Sequence, residues 1–164
     1  MRVRGATTAD AEAMARVHTE SSEAAYAHIG SAEPGAYERR LAVWREILAQ
    51  EHSAFVAEDD HGAVVGLLSV GESREEDGVG EIYVIYVRPE SWGSSAGQLL
   101  VECAHEVLAE RYDEAELTVL ADNPRARRFY ERNGWALAEL RTEEHFGGQP
   151  TEVARYRRTL RPGP

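Results

Sequence analysis

Along this chain the spacing of apolar residues switches repeatedly between two and three-to-four, and each switch marks a new element. The opening "MRVRGA" reads as a short strand. Thr7 stands three residues before Asp10, close to a capping box, and a helix follows to about Ser21 with Ala13, Met14 and Val17 on one face. A second helix is plain in "PGAYERRLAVWREIL", where Tyr37, Leu41, Trp44 and Leu48 recur at helical spacing. "SAFVAEDD" and "AVVGLLSV" are strand-type runs joined around "DDHG", a hairpin signal. An acidic loop, "GESREEDGVG", leads into "EIYVIYV", which is apolar on both faces and therefore a central strand. From Ser95 to Arg111 the pattern is helical, with Ala96, Leu99, Leu100, Cys103 and Val107 inward, and "AELTVLA" is a further buried strand.

"DNPRARRFYERNGW" has helix punctuation at both ends: Asn123 to cap, Pro124 in the first turn, Gly134 to stop. Strand-like runs at roughly 135–143 and 151–160 flank "FGGQP". The order is β-α-α-β-β-β-α-β-α-β-β, an α+β chain with a mixed central sheet of about seven strands. The alternation in its second half requires some parallel pairing. With 164 residues, no repeat and no linker, residues 1–160 read as one domain, and "RPGP" at 161–164 as a flexible tail.

Composition narrows the function classes. Hydrophobic residues at 43% and charged residues at 29% suit a globular protein, and no apolar run is long enough to span a membrane. The N-terminus lacks the apolar core of a signal peptide, and Cys103 alone makes no internal disulfide, so a cytoplasmic location is expected. A net charge of −11 argues against nucleic acid as partner. The exception is "RYRRTLR" at 155–161, read as the exposed side of a last strand or, alternatively, as a contact for a ligand phosphate.

The common catalytic signatures are missing. The six histidines show no paired ligand spacing, so no metal is expected and each reads as a surface or structural residue. There is no G-x-S-x-G elbow, Walker pattern or dinucleotide fingerprint. What remains is "RPESWGSSAGQLL", where Gly93, Ser94, Ser95, Ala96 and Gly97 enter a helix. Small side chains let an anion approach the backbone, first-turn N–H groups have no intrahelical acceptor, and the helix dipole adds partial positive charge.

Two stretches carry a resemblance to the GNAT superfamily of acyl-CoA-dependent N-acyltransferases. "IYVRPESWGSSAGQLL" resembles the family's strand and pyrophosphate-binding turn, Q/R-x-x-G-x-G/A. "NPRARRFYERNGW" matches its N-x-x-A-x-x-F/L-Y-x-x-x-G-F/W pattern throughout. In the first motif Trp92 replaces Gln or Arg and Ser95 replaces a usual glycine, while Gly97 is kept. A positive φ at position 95 would penalise serine by roughly 1 kcal/mol, whereas a need only for a small side chain would cost little.

The resemblance implies a GNAT fold of three-layer α/β type and transfer of the acetyl group of acetyl-CoA to a primary amine of a small molecule or peptide by direct attack, without a metal. It implies cofactor contacts from Trp92, Gly93, Ser94, Ser95, Ala96, Gly97 and Gln98 at the helix mouth, and from Asn123 and Ala126 in the second motif. It places an oxyanion-binding backbone N–H and the pantetheine slot along Ile85, Tyr86 and Val87. Tyr130 takes the position of the acid for the leaving thiolate, and Glu81 that of the base, although Glu81 reads equally as a solvated strand-end carboxylate. Arg125, Arg127 and Arg128 read as a solvated face from which one arginine reaches a phosphate. The acceptor groove falls on Tyr26, His28, Glu143 and His145, with Glu144 and the "ESREED" acids favouring a cationic amine. Homodimers are common among similar proteins. The alternative reading is a non-catalytic acyl-CoA sensor with the same fold.

Overall fold

The turn at Asp59 shows how local chemistry sets the register of the sheet. Its Oδ1 accepts the backbone N–H groups of His61 and Ala63, both at 2.9 Å, and Gly62 takes φ 81°. That turn joins β2 (Ser53–Glu58) to β3 (Val64–Glu72) as the expected hairpin. The computed structural model describes residues 1–27, 33–50, 53–145 and 149–161. The other elements are β1 (Arg2–Gly5), α1 (Ala11–Tyr26), α2 (Ala36–Ala49), β4 (Gly80–Val87), α3 (Ala96–Ala109), β5 (Glu114–Leu120), α4 (Pro124–Arg132), β6 (Ala136–His145) and β7 (Gln149–Thr159). Their order is the one expected. Seven strands form one sheet in the order β1-β2-β3-β4-β5-β7-β6, and β4 runs parallel to β5.

Two compact units share the chain: Met1–Val70 with Val84–Ala104, and Gly71–Tyr83 with His105–Pro164. No linker marks the junctions, because β3, β4 and α3 each begin in one unit and end in the other. Of the expected tail, Arg161 is described and its guanidinium donates to the Ala109 carbonyl at 2.5 Å. Residues 162–164 lie outside the described residues.

In the first unit, Met14, Ala15 and Val17 of α1 pack with Trp44 of α2 and with Val56 and Leu67 of the hairpin. Tyr37, Leu41 and Leu48 flank this core, so the α2 stripe is where its spacing placed it. The α1 stripe differs at one position: Ala15 is buried, whereas Ala13 is half-buried. α1 also runs past Ser21 to Tyr26. Ser21 is buried and donates its hydroxyl to the Val87 carbonyl at 3.0 Å, which removes the reason to end the helix there. Gly66 is required by close approach, since a Cβ there would meet Leu100 Cδ1 at 2.9 Å and the Tyr86 carbonyl at 3.1 Å.

The second unit buries Leu117 and Leu120 of β5, Tyr130, Trp135, and Val153, Ala154 and Tyr156 of β7. On α3 the buried residues are Ala96, Leu100, Val101, Ala104 and Leu108, whereas Leu99, Cys103 and Val107 are only half-buried. A helix apolar on most sides fits two stripes at the same period, and packing selects between them.

Arg155 and Arg157 are not a solvated strand face. Across the β5–β7 register, Arg155 faces Thr118 and Arg157 faces Glu116. Arg155 Nε donates to buried Glu116 at 2.7 Å, and Arg157 pairs with Glu76 at 2.6 Å and Glu114 at 2.5 Å. Among the described residues, no helix is long and apolar enough to cross a membrane.

Candidate active site

The end of β4 is tied down before the helix mouth begins. The Val87 carbonyl accepts from both Ser21 Oγ and Trp92 Nε1, the latter at 2.9 Å. Arg88 donates its N–H to Val65 O at 2.9 Å and pairs with Glu20 at 2.8 Å and Glu90 at 2.7 Å. A short 3₁₀ turn at Pro89–Ser91 then reverses the chain. Gly93 takes the left-handed conformation, φ 82°. Ser95 precedes α3, and its carbonyl accepts the Leu99 N–H at 3.0 Å. It therefore occupies the N-cap, a position that favours serine.

The Ser95 substitution thus falls where it costs little, because the positive φ belongs to the retained Gly93. Ser94 and Ser95 are exposed, Ala96 is buried and Gly97 is half-buried. Gln98 donates to Glu102 at 2.8 Å. Gly93→Ala is expected to lower the unfolding free energy by about 1 kcal/mol, and Ser95→Gly by only a few tenths, as read from urea unfolding. Equal costs would misplace the strained residue.

In the second unit, α4 starts and stops as its sequence dictates. Asn123 Oδ1 accepts the Ala126 N–H at 3.1 Å, Pro124 fills the first turn, and Gly134 follows the helix at φ 84°. Tyr130 is buried, with its ring edge-on to Phe129 at 5.2 Å and to Trp135 at 6.3 Å, and tilted to Tyr156 at 6.5 Å. Arg127 turns inward and donates to Tyr156 Oη at 3.0 Å and to the Ala121 carbonyl at 3.2 Å. Arg125 and Arg128 are exposed.

Glu81 is buried rather than solvated. Its Oε2 accepts the Arg74 backbone N–H at 2.9 Å, and its Oε1 accepts Arg74 Nη2 at 2.7 Å. The register of β4 with β5 covers Gly80↔Ala115 and Glu81↔Glu116 and is not continued by Ile82 or Tyr83. Two carboxylates opposite each other would repel. Arg74 on Glu81 and Arg155 on Glu116 offset this.

The model of the Acetyltransferase (GNAT) family matches residues 13–135. The chain belongs to this family. An uncharacterized N-acetyltransferase of Archaeoglobus fulgidus is 32% identical over 155 residues, covering 90% of this chain and 97% of that one. The mycothiol acetyltransferase of Streptomyces griseus is 39% identical over 87 residues, which is 52% of this chain. The chain spans only 28% of the length of that enzyme.

Solved structures share the GNAT fold at lower identity. The Salmonella typhimurium protein yncA, solved with its cofactor acetyl-CoA, superimposes with a TM-score of 0.78 at 19% identity, covering 100% of this chain and 96% of that one. The phosphinothricin acetyltransferase of Sinorhizobium meliloti, in complex with acetyl-CoA, gives 0.76 at 22% identity, covering 96% and 87%. The chain therefore carries a domain of the Acetyltransferase (GNAT) family on a mixed seven-stranded sheet.

Three of the acids that suggested a cationic acceptor, Glu75, Glu76 and Glu143, are engaged inside the second unit of this GNAT chain. Glu75 and half-buried Glu143 both take the Arg141 guanidinium, at 2.5 Å and 2.7 Å. Arg141 holds the Glu75 carboxyl below its usual range, and Arg157 does the same for Glu76. Ser73, hydrogen-bonded to Glu116, accepts the N–H groups of Glu75 and Glu76 at 3.1 and 3.0 Å and folds the acidic loop back. Glu144 is exposed. His28 lies outside the described residues, as does the side chain of His145.

Two histidines have structural partners of one kind: His18 Nδ1 accepts from Trp44 Nε1 at 3.2 Å, and His105 Nε2 accepts from Trp135 Nε1 at 3.1 Å. Among the described residues, no group of three His, Cys, Asp or Glu is placed to hold a metal.

Around His18 is a cluster that the spacing of residues does not announce. The imidazole stacks on half-buried Tyr86 at 4.7 Å, and Tyr86 shares a hydrogen bond with Ser22. Burial, and then the nearby Arg40 charge, depress the His18 pKa to about 4. Burial pushes the Tyr26 phenol up to about 12 and raises Tyr86 as well. His18, Ser22 and Tyr26 recur every fourth residue, a polar stripe on the helix that also carries the core.

Proposed function

We propose that this GNAT chain moves the acetyl group of acetyl-CoA directly to the amine of a small acceptor, with residues of its own in four roles. The substrate supplies an activated acyl group as its thioester. Residues Gly93 to Gln98 hold the diphosphate through first-turn N–H groups, which suit an anion. Of these, Ser94 N–H is already given to Ser91 O at 3.1 Å and Ala96 N–H to Ser94 Oγ at 3.3 Å. The Ile85–Val87 backbone lines the acyl arm and supplies the donor for developing negative charge on the carbonyl oxygen. Asn123 and Ala126 contact the cofactor by the same family resemblance. Trp92 braces the turn through its bond to Val87 O.

Proton movement falls to Glu81 and Tyr130. An amine with pKa near 10 must lose a proton to attack, and the Glu81 carboxylate takes that proton once Arg74 releases one oxygen. The Arg74 side chain is 70% exposed, and to swing away it gives up its place over the Tyr83 ring, 5.1 Å from the centroid, while its backbone N–H stays on Oε2. Tyr130 Oη donates to the departing thiolate, and its ring is fixed by three aromatic neighbours. The observation that carries this reading is the family match over residues 13–135, which includes both the helix mouth and the capped α4.

Thermal unfolding with and without acetyl-CoA, followed by free-thiol release over an amine panel, tests it. At 100 times the dissociation constant a bound ligand stabilises by about 2.7 kcal/mol, so an upward melting shift of several degrees is expected, with thiol release on at least one amine. No shift at millimolar acetyl-CoA would refute the binding role. A shift without thiol release on any amine would refute the catalytic one.

A further inference from the structure

One cation in the first unit has no work in the mechanism above. Arg40 lies on α2, one turn before Trp44. The residue is half-buried, and its Nη1 is buried with no hydrogen-bond partner among the described residues. Elsewhere the chain supplies its partly buried guanidinium groups with acceptors: Arg4 with Asp10 and Glu58, Arg88 with Glu20, Arg141 with Glu75. Arg158 Nε is also unpartnered, but its Nη1 donates to the Asn133 carbonyl at the end of α4. A charged donor kept from water without an acceptor costs free energy, and a guanidinium cannot escape by losing its proton.

The groups that feel the Arg40 charge are those of the α1 cluster: His18, Tyr26 and Tyr86. His18 stays neutral down to about pH 4, and both phenols stay protonated through the physiological range. Arg40 is thus the formal charge in a cluster whose other members are aromatic or neutral. One positive charge among apolar rings suits a single negative charge. A phosphate dianion would call for a second cation, which neutral His18 does not provide.

The geometry points to Arg40 as the anchor for a carboxylate on the acceptor, so that the amine acetylated belongs to an amino acid or a comparably small amino-carboxylic acid. This rests on the acetyltransferase reading and narrows it. It differs from the expectation of a plainly cationic amine, of whose acids Glu75, Glu76 and Glu143 are paired internally and Glu144 is exposed.

The test compares amino acids with their carboxamides as acceptors in the thiol-release assay, for the wild type, Arg40→Gln and Arg40→Met. Wild type should prefer acids by about 10- to 100-fold in kcat/KM, the scale of one charged hydrogen bond. Reactivity at neutral pH runs the other way, because more of the carboxamide's less basic amine is unprotonated. Both variants should lose the preference while keeping the carboxamide rate and the acetyl-CoA KM. Arg40→Met should also melt about 2–4 °C higher without ligand, since it removes a buried donor that has no partner.

Equal rates on acids and amides in the wild type would overturn the proposal. So would an equal loss on both acceptors in the variants, or a lower melting temperature for Arg40→Met, either of which marks a structural arginine. If acetyl-CoA binds but no amine is turned over, the catalytic reading has failed separately. Calorimetry of the amino-acid panel against wild type and Arg40→Gln then decides: binding lost in the variant supports the anchor, and no binding to wild type removes it.

Discussion

Tyr130→Phe is expected to lower the rate of acetyl transfer by about 10²- to 10⁴-fold, the usual worth of a positioned general acid, with acetyl-CoA affinity almost unchanged. The separation follows from what the ring touches. Phe129, Trp135 and Tyr156 surround it edge-on or tilted, and those contacts use ring carbon, which phenylalanine keeps. The α4 end is also independent of the hydroxyl: the Tyr130 carbonyl accepts the N–H groups of Asn133 and Trp135 at 3.0 and 3.1 Å. What disappears is a donor whose ordinary pKa of about 10 lies near that of a thiol, about 8.5. Steady-state kinetics with acetyl-CoA titration separates the effects, and urea unfolding checks that the variant folds as stably as the parent. Equal losses in kcat and in acetyl-CoA affinity would make Tyr130 a packing residue and leave the acid unassigned.

The parts of this fold that could be read in advance are those fixed within a few residues. Asp59 and Gly62 build their own turn, and Asn123, Pro124 and Gly134 punctuate α4 without help from elsewhere. Features set by distant partners were harder to read. Ser21 looked like a helix end, yet its hydroxyl is spent on Val87, far along the chain. α3 offered two apolar stripes at one period, and only packing chose Val101, Ala104 and Leu108. The C-terminal arginines resembled a solvated face until the β5–β7 register put Arg157 opposite Glu116.

The same division runs through the candidate site. The small residues of the helix mouth were visible as a string, but which of them bears the strained φ was not. Gly93 takes it, and Ser95 is left a conventional cap. Glu81 stood out by position, while the buried pairing with Arg74 depends on how the acidic loop folds back. Arg40 left no trace at all. On a helix with Glu38, Arg39 and Arg45 it looks like one more surface charge, and only an unfilled donor distinguishes it.

A second large effect is expected on acidification, and it originates at His18. The unfolded imidazole titrates near 6.5, whereas in the folded chain burial and then Arg40 hold it at about 4. Between these values the unfolded state binds a proton that the native state refuses, so stability falls as pH falls. The contribution is complete above pH 6.5 and costs about 3 kcal/mol by pH 4, from roughly 1.36 kcal/mol per unit. The surroundings give the proton no compensation: Trp44 Nε1 already donates to Nδ1, the Tyr86 ring covers one face, and the nearest charge is positive. His18→Gln keeps an acceptor for Trp44 and cannot titrate, so its unfolding free energy should fall by about 3 kcal/mol less than the wild type's between pH 7 and 4. Carboxylates such as Asp10, held low by Arg4, act in both proteins alike and cancel in the difference. Parallel pH profiles for the two proteins, or an imidazole resonance titrating near pH 6.5, would show that solvent reaches His18 and would remove the neutral wall from the Arg40 cluster.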